Sequence, residues 1–286
     1  MSYKILTDSG CDLPSHMSDS LGVSVAPLSV LFQGKEYETY SESWLKELFN
    51  GLRNGEVTST SAVNPEKWSS AMEEILQQEE DLLVLTFSSG LSTTYQSAVI
   101  AAQELKEKYP QREIYVVDTL AASLGQGLLV YYAAKKRDEG LSLQDLVAWC
   151  EEYRYKLCHW FTVDDLMYLK RGGRISAATA ILGTMLQIKP VLHVDDEGHL
   201  INVSKARGRK AAIEALAKKL GETGIPGAND TVFICHGDCI EDAQYLESLV
   251  KSKYGVKDVF IYYVGAVIGS HSGPGTLALF YLGDHR

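Results

Sequence analysis

The chain of 286 residues is 45% hydrophobic and 22% charged, which excludes a disordered or collagen-like polymer and leaves one large or two modest globular domains. With 27 basic against 37 acidic side chains the net charge is −10, a poor match for general binding to nucleic acid or to an anionic membrane. Five scattered cysteines (Cys11, Cys150, Cys158, Cys235, Cys239) without a Cys-x-x-Cys pair read as reduced thiols and point to the cytoplasm.

Short apolar runs alternate with helical patterns. Strands are expected at Lys4 to Asp8, Val23 to Phe32, Leu82 to Phe87 and Ile114 to Asp118. Helices are expected near Pro65, over Thr93 to Lys108, Ala121 to Arg137 and Leu143 to Tyr155. Strands that are apolar throughout and separated by helices predict a parallel sheet covered on both faces. Beyond residue 160 the pattern changes. His159 to Val163 reads as a strand and Ala177 to Leu186 as a short helix. Pro190 to Val194 and Leu200 to Val203 flank Asp195-Asp196-Glu197-Gly198, which is a hairpin signal and predicts a mixed sheet. Arg209 to Leu220 and Asp242 to Lys253 read as helices, Thr231 to Cys235 as a strand. Val259 to Ile268 reads as another strand, followed by a glycine-rich turn and a last strand at Leu277 to Leu282. The expected class is α/β with two domains. Residues 1–160 carry the parallel sheet with helices on both faces, and residues 161–286 a mixed sheet with helices. The N-terminus has no apolar signal core. The longest apolar run, Val259 to Ile268, is about half of the ~20 residues that a membrane helix needs.

Four segments could carry chemistry. In Thr86 to Gln96 a buried strand runs through a loop of small hydroxyl residues into a helix, whose unpaired first-turn N–H groups favour an anion. Open parallel sheets bind ligands just past their strand ends. The plainer alternative is that Ser92 caps the helix. Thr58-Ser59-Thr60-Ser61 places four hydroxyls before a helix, and a capped turn explains them as well. Lys170-Arg171-Gly172-Gly173-Arg174 sets three cations around two glycines, suited to phosphate or carboxylate or else to a solvated basic turn. Gly269-Ser270-His271-Ser272-Gly273-Pro274-Gly275-Thr276 lets a backbone approach a ligand and offers one histidine as acid, base or donor. No Gly-x4-Gly-Lys-Ser/Thr loop, Gly-x-Gly-x-x-Gly, His-Glu-x-x-His or Gly-x-Ser-x-Gly occurs, and no metal site is expected from the seven scattered histidines.

Taken together and in order, these segments resemble the DegV family of bacterial fatty-acid-binding proteins, which includes acyl-carrier subunits of fatty acid kinase. Thr7-Asp8-Ser9-Gly10-Cys11-Asp12-Leu13-Pro14 is similar to the family's opening motif and Ser88 to Ala98 to its serine loop. Leu169 to Ile175 and Ile188 to Leu192 resemble its middle motifs, and Gly269 to Thr276 its last. The serine loop departs from the family at Thr93, where glycine is usual. The Thr60-Ser61 turn departs at Ala62-Val63, where Gln-Pro is usual.

The resemblance implies two α/β domains and a long acyl chain buried between them or within the C-terminal one. It implies a carboxylate held by Thr60 or Ser61 and by Ser92, beside Thr93, with Arg207 and His271 near the head group. It implies a carrier without catalytic activity, cofactor or metal. Its partner would be a separate ATP-using kinase that phosphorylates the bound carboxylate for phospholipid synthesis, and its contact with a membrane would be transient. Elementary energetics agree. Burying about fifteen methylenes is worth up to about 12 kcal/mol gross at ~0.8 each, against association costs of ~4–15 kcal/mol. The tail then supplies affinity and the head fixes orientation. Two alternatives stay open: a carrier for another hydrophobic acid or lipid without a kinase, and a phosphotransferase using His271.

Overall fold

The structure, a computed structural model, describes residues 2–176 and 187–286. The short helix expected over Ala177 to Leu186 lies outside the described residues.

The first half runs β1 (Tyr3–Asp8), α1 (Ser15–Ser20), β2 (Val23–Ala26), β3 (Ser29–Phe32), β4 (Lys35–Tyr37), α2 (Glu42–Arg53), β5 (Ser59–Ser61), α3 (Pro65–Leu76), β6 (Asp81–Thr86), α4 (Thr94–Lys108), β7 (Ile114–Asp118), α5 (Leu124–Asp138) and α6 (Leu143–Tyr153). The second half runs β8 (Leu157–Thr162), α7 (Met167–Arg171), β9 (Ile188–Val194), β10 (Leu200–Arg207), α8 (Arg209–Thr223), β11 (Thr231–His236), α9 (Ile240–Tyr254), β12 (Asp258–Tyr263), α10 (Ala266–Ser272) and β13 (Leu277–Leu282).

Three sheets result. The first is parallel in the order β2-β1-β6-β7. Its central strand β6 is buried along its whole length, as its uninterrupted apolar run requires. Helices α3 and α4 cover one face and α5 and α6 the other. The second sheet is mixed, in the order β10-β9-β8-β13-β11-β12, with only β11 and β12 parallel. Its outer face packs on α8 and α9. The third is a small antiparallel sheet in the order β4-β3-β5. The class is therefore mixed α/β, with the parallel sheet first and the mixed sheet second.

Two expected strands are corrected. Val23 to Phe32 is not one strand. Pro27 cannot donate to a ladder, so the chain leaves the parallel sheet after Ala26 and starts the small sheet at Ser29. Val259 to Ile268 also divides: the strand ends at Tyr263, and α10 starts at Ala266. Half of the expected glycine-rich turn is thus helical.

Helix α5 is the wedge between the halves. Residues 124–130 are all buried. Leu124, Leu128 and Leu129 face the mixed sheet, while Val130, Ala133 and Ala134 face the parallel one. Lys135, Lys136 and Arg137 fill its last turn, where cations complement the helix dipole. The division proposed at residue 160 falls within β8, which belongs wholly to the mixed sheet.

Candidate functional site

A cavity of about 470 Å³ lies between the carboxyl ends of the parallel strands and the inner face of the mixed sheet. Strand register builds its floor. His159 pairs with Phe280 and Phe161 with Ala278 across β8 and β13, and Cys235 pairs with Ala278 across β11 and β13. Side chains alternate along a strand, so these residues share one face. All of them line the cavity, joined by Val194. Leu28, Phe87, Leu91, Val267 and Ile268 close it from the other side.

The serine loop is fixed from two directions. Asp8, at the end of β1, accepts the N–H groups of Gly10 (2.9 Å) and Phe87 (2.7 Å). Ser88 donates to the carbonyl of Gly198 at 2.9 Å, which ties the loop to the β9–β10 hairpin turn. Gly90 packs on the same turn. Ser92 accepts the Thr94 N–H (3.2 Å) and is hydrogen-bonded to the Thr94 hydroxyl (2.8 Å), so it organises the start of α4 as well as lining the cavity.

Thr60, Ser61, Ser92, Thr93 and His271 all line this one cavity, although β5, the serine loop and α10 are far apart in sequence. Ser61 and Thr93 are exposed at its rim. Thr60 Oγ1 and His271 Nε2 are hydrogen-bonded at 2.7 Å. Burial, and then the nearby Arg174 charge, push His271 down to about 4, so the ring is neutral at pH 7. Its close seat depends on Gly172, where a Cβ would lie 2.2 Å from His271 Nδ1.

Arg207 is placed elsewhere. It ends β10 opposite Ile188, exposed to solvent and outside the cavity lining. The cation at the cavity is Arg174, whose Nε donates to the Leu91 carbonyl at 3.1 Å and whose Nη1 donates to that of Gly172. The Lys170 to Arg174 cluster signalled it, without separating it from its neighbours. His159, Ser123 and Ser272 also line the cavity; the glycine-rich segment around His271 contains Ser272, and nothing in the sequence context of the other two marks them.

A second hollow, about 280 Å³, adjoins the first and is lined by Thr58, Ser59, Tyr168, Arg171 and Ser270. Thr60, Arg174 and His271 line both spaces. They form a polar collar between an apolar interior and an outer depression. Among the described residues no cluster of three or more metal-ligating side chains is found.

Fold and site together define an α/β protein with an apolar cavity that is polar at one end. A family model described as "Uncharacterised protein, DegV family" matches residues 2–284. A DegV domain-containing protein of Clostridium perfringens is 48% identical over 286 residues, covering 99% of this chain and 98% of that one. The chain belongs to the DegV family. Solved structures are similar as well. A fatty-acid-binding DegV family protein from Thermus thermophilus is 36% identical with a TM-score of 0.88, over 99% of this chain and 100% of that one. A DegV lipid-binding protein from Thermotoga maritima is 31% identical with a TM-score of 0.87, over all of both chains.

Proposed function

We propose that the protein is a carrier that holds one long-chain fatty acid in this cavity and presents its carboxylate to a separate ATP-dependent kinase for acyl-phosphate formation. In this reading Thr60, Ser61, Ser92, Thr93 and His271 hold the head group and the mixed-sheet floor holds the tail. The carrier itself has no catalytic activity and needs no cofactor or metal. Two domains, residues 1–160 and 161–286, embrace the ligand, and the carrier works in the cytoplasm. In keeping with that, no helix among the described residues is long and apolar enough to cross a membrane.

The observation that carries the reading is the collar of Thr60, His271 and Arg174, shared by an apolar interior and an outer hollow. A carboxylate there meets neutral hydroxyls and a neutral imidazole, which leave an oxygen nucleophilic enough to attack a phosphoryl group. Arg174 stands ready for the added charge of the product, since a guanidinium fork matches phosphate oxygens. One similar structure described as fatty-acid-binding and one described as lipid-binding support the ligand class.

Two measurements test this. Solvent extracts of the purified protein should contain a long-chain fatty acid in near one-to-one ratio. Lipid-free extracts from folded protein that also refuses added fatty acid would overturn the ligand. With a cognate kinase and ATP, Arg207→Ala and His271→Ala should still carry lipid, the latter more weakly, yet lose acyl-phosphate formation. For Arg207, exposed on β10 outside the cavity lining, that loss would reflect contact with the kinase. Turnover without added kinase would refute the carrier role.

A further inference from the structure

The cavity carries polar groups that a plain hydrocarbon tail leaves unused. His159 and Ser272 line it and are only 1% and 3% exposed. His159 Nε2 and Ser272 Oγ have no hydrogen-bond partner among the described residues.

His159 offers a defined chemistry. Its Nδ1 lies 2.9 Å from the Leu157 carbonyl, which can only accept. Nδ1 therefore carries the ring proton, and Nε2 presents a bare lone pair. Gly125 packs closely, since a Cβ there would lie 2.1 Å from Nε2, 2.4 Å from Cδ2 and 2.9 Å from Cε1. A group on the lone-pair axis would be equidistant from those two carbons. Gly125 thus lies over the ring face and not on that axis. Ser123, 4% exposed, lines the same cavity. Its hydroxyl is hydrogen-bonded to Asp12 Oδ2 at 2.5 Å and lies 3.4 Å from Cys235 Sγ, so it is already partnered and meets a ligand through a remaining lone pair.

We propose that the cavity selects a long-chain fatty acid bearing a hydroxyl group on its chain, with His159 Nε2 as the acceptor and Ser123 and Ser272 as flanking partners. The inference rests on the fatty-acid reading above and narrows its ligand class. A methylene chain pairs neither His159 Nε2 nor Ser272 Oγ, and buried polar atoms are unfavourable when unpaired. A keto group only accepts, so the His159 lone pair would stay unpaired. A second carboxylate would face two acceptors, with the Asp12 carboxyl behind Ser123. A hydroxyl donates and accepts, as these partners require.

Delipidated protein titrated with stearate and with a positional series of hydroxystearates tests this. At least one isomer should bind tighter than stearate by roughly five- to tenfold, the worth of one net hydrogen bond. In His159→Leu the ratio of the two affinities should fall to about one. Should that variant misfold, the wild-type imidazole nitrogen resonances suffice: Nε2 should shift with the preferred hydroxystearate and not with stearate. If every isomer binds no tighter than stearate while stearate binds well, water fills the polar positions and the proposal fails, with the carrier reading intact. If neither class binds, the fatty-acid reading fails and this inference with it.

Discussion

At the scale of single residues, the candidate head-group site depends on short contacts between segments distant in sequence. Thr60 and Ser92 reach it from β5 and from the serine loop, and each can donate one hydroxyl proton to a carboxylate. The double variant Thr60→Ala with Ser92→Ala should weaken fatty-acid binding by about 1.5–3 kcal/mol for each bond lost to a charged group. Ser92 also accepts the Thr94 N–H, so a loss of about 1 kcal/mol in stability should accompany it. Calorimetric titration beside a thermal melt separates the two effects, and unchanged affinity would move the carboxylate to Ser61 and Thr93. Gly172→Ala probes the collar from behind. The new methyl group would meet His271 Nδ1 at 2.2 Å, with Cγ and Cε1 within 3.2 Å. The imidazole must shift, and the 2.7 Å bond to Thr60 breaks with it. The expected result is weaker ligand binding by about tenfold, the order of one hydrogen bond to a charged ligand, read by the same titration.

At the scale of elements, local signals place most of the scaffold, and long-range pairing decides the rest. Asn64 accepts the Lys67 N–H at 2.8 Å, and Pro65 opens α3, a start that the dipeptide announces. Asn64→Ala should cost about 1 kcal/mol of stability, seen as a lower urea midpoint. A cap that only holds α3 in place should leave ligand affinity nearly unchanged, so a large affinity loss would mean that α3 also sets the position of β5. The parallel strands were legible because each is an apolar run bounded by helices. The break at Pro27 was legible in principle, yet a run of mostly apolar residues on both sides masked it. The start of α10 was hidden for another reason: Val264 to Ile268 is apolar in either a strand or a helix, and short apolar runs do not separate the two. Thr60, Ser92 and His271 could be read as candidates through their small, polar or glycine-rich surroundings. Arg174 and Arg207 could not be ranked by sequence, since both sit in basic, glycine-containing segments. Only the pairing of β9 with β10, which carries Arg207 away from the cavity lining, distinguishes them. His159 was unreadable as a cavity group, because its role arises from register with β13 and from the space above Gly125.

At the scale of the whole molecule, buried titratable groups set how stability responds to pH. Burial holds four histidines neutral in the folded chain. His193, His236 and His271 are pushed down to about 4, and His159 lies well below its ordinary value. Unfolded histidines bind protons near 6.5, so between about pH 4 and 6.5 the unfolded state holds more protons than the folded one, and stability rises with pH there. Asp8 and Asp12 act in the opposite sense. Burial raises them to about 6 and about 7, so the folded chain keeps protons that the unfolded chain releases above its carboxylate pKa near 4. Their contribution declines as pH rises through the same interval. Four histidines outweigh two carboxyl groups, so the urea midpoint of ligand-free protein should climb from pH 4.5 to about 6.5, the upper limit being the unfolded histidine value. It should then level off through about 7, where the unfolded histidines and Asp12 both finish titrating. His271→Gln removes one proton site that only the unfolded chain fills, so its midpoint should climb less steeply over the same interval. A wild-type midpoint that falls steadily from pH 4.5 to 6.5 would mean that the buried carboxyl groups dominate, and that the histidines titrate in the folded chain as they do in water.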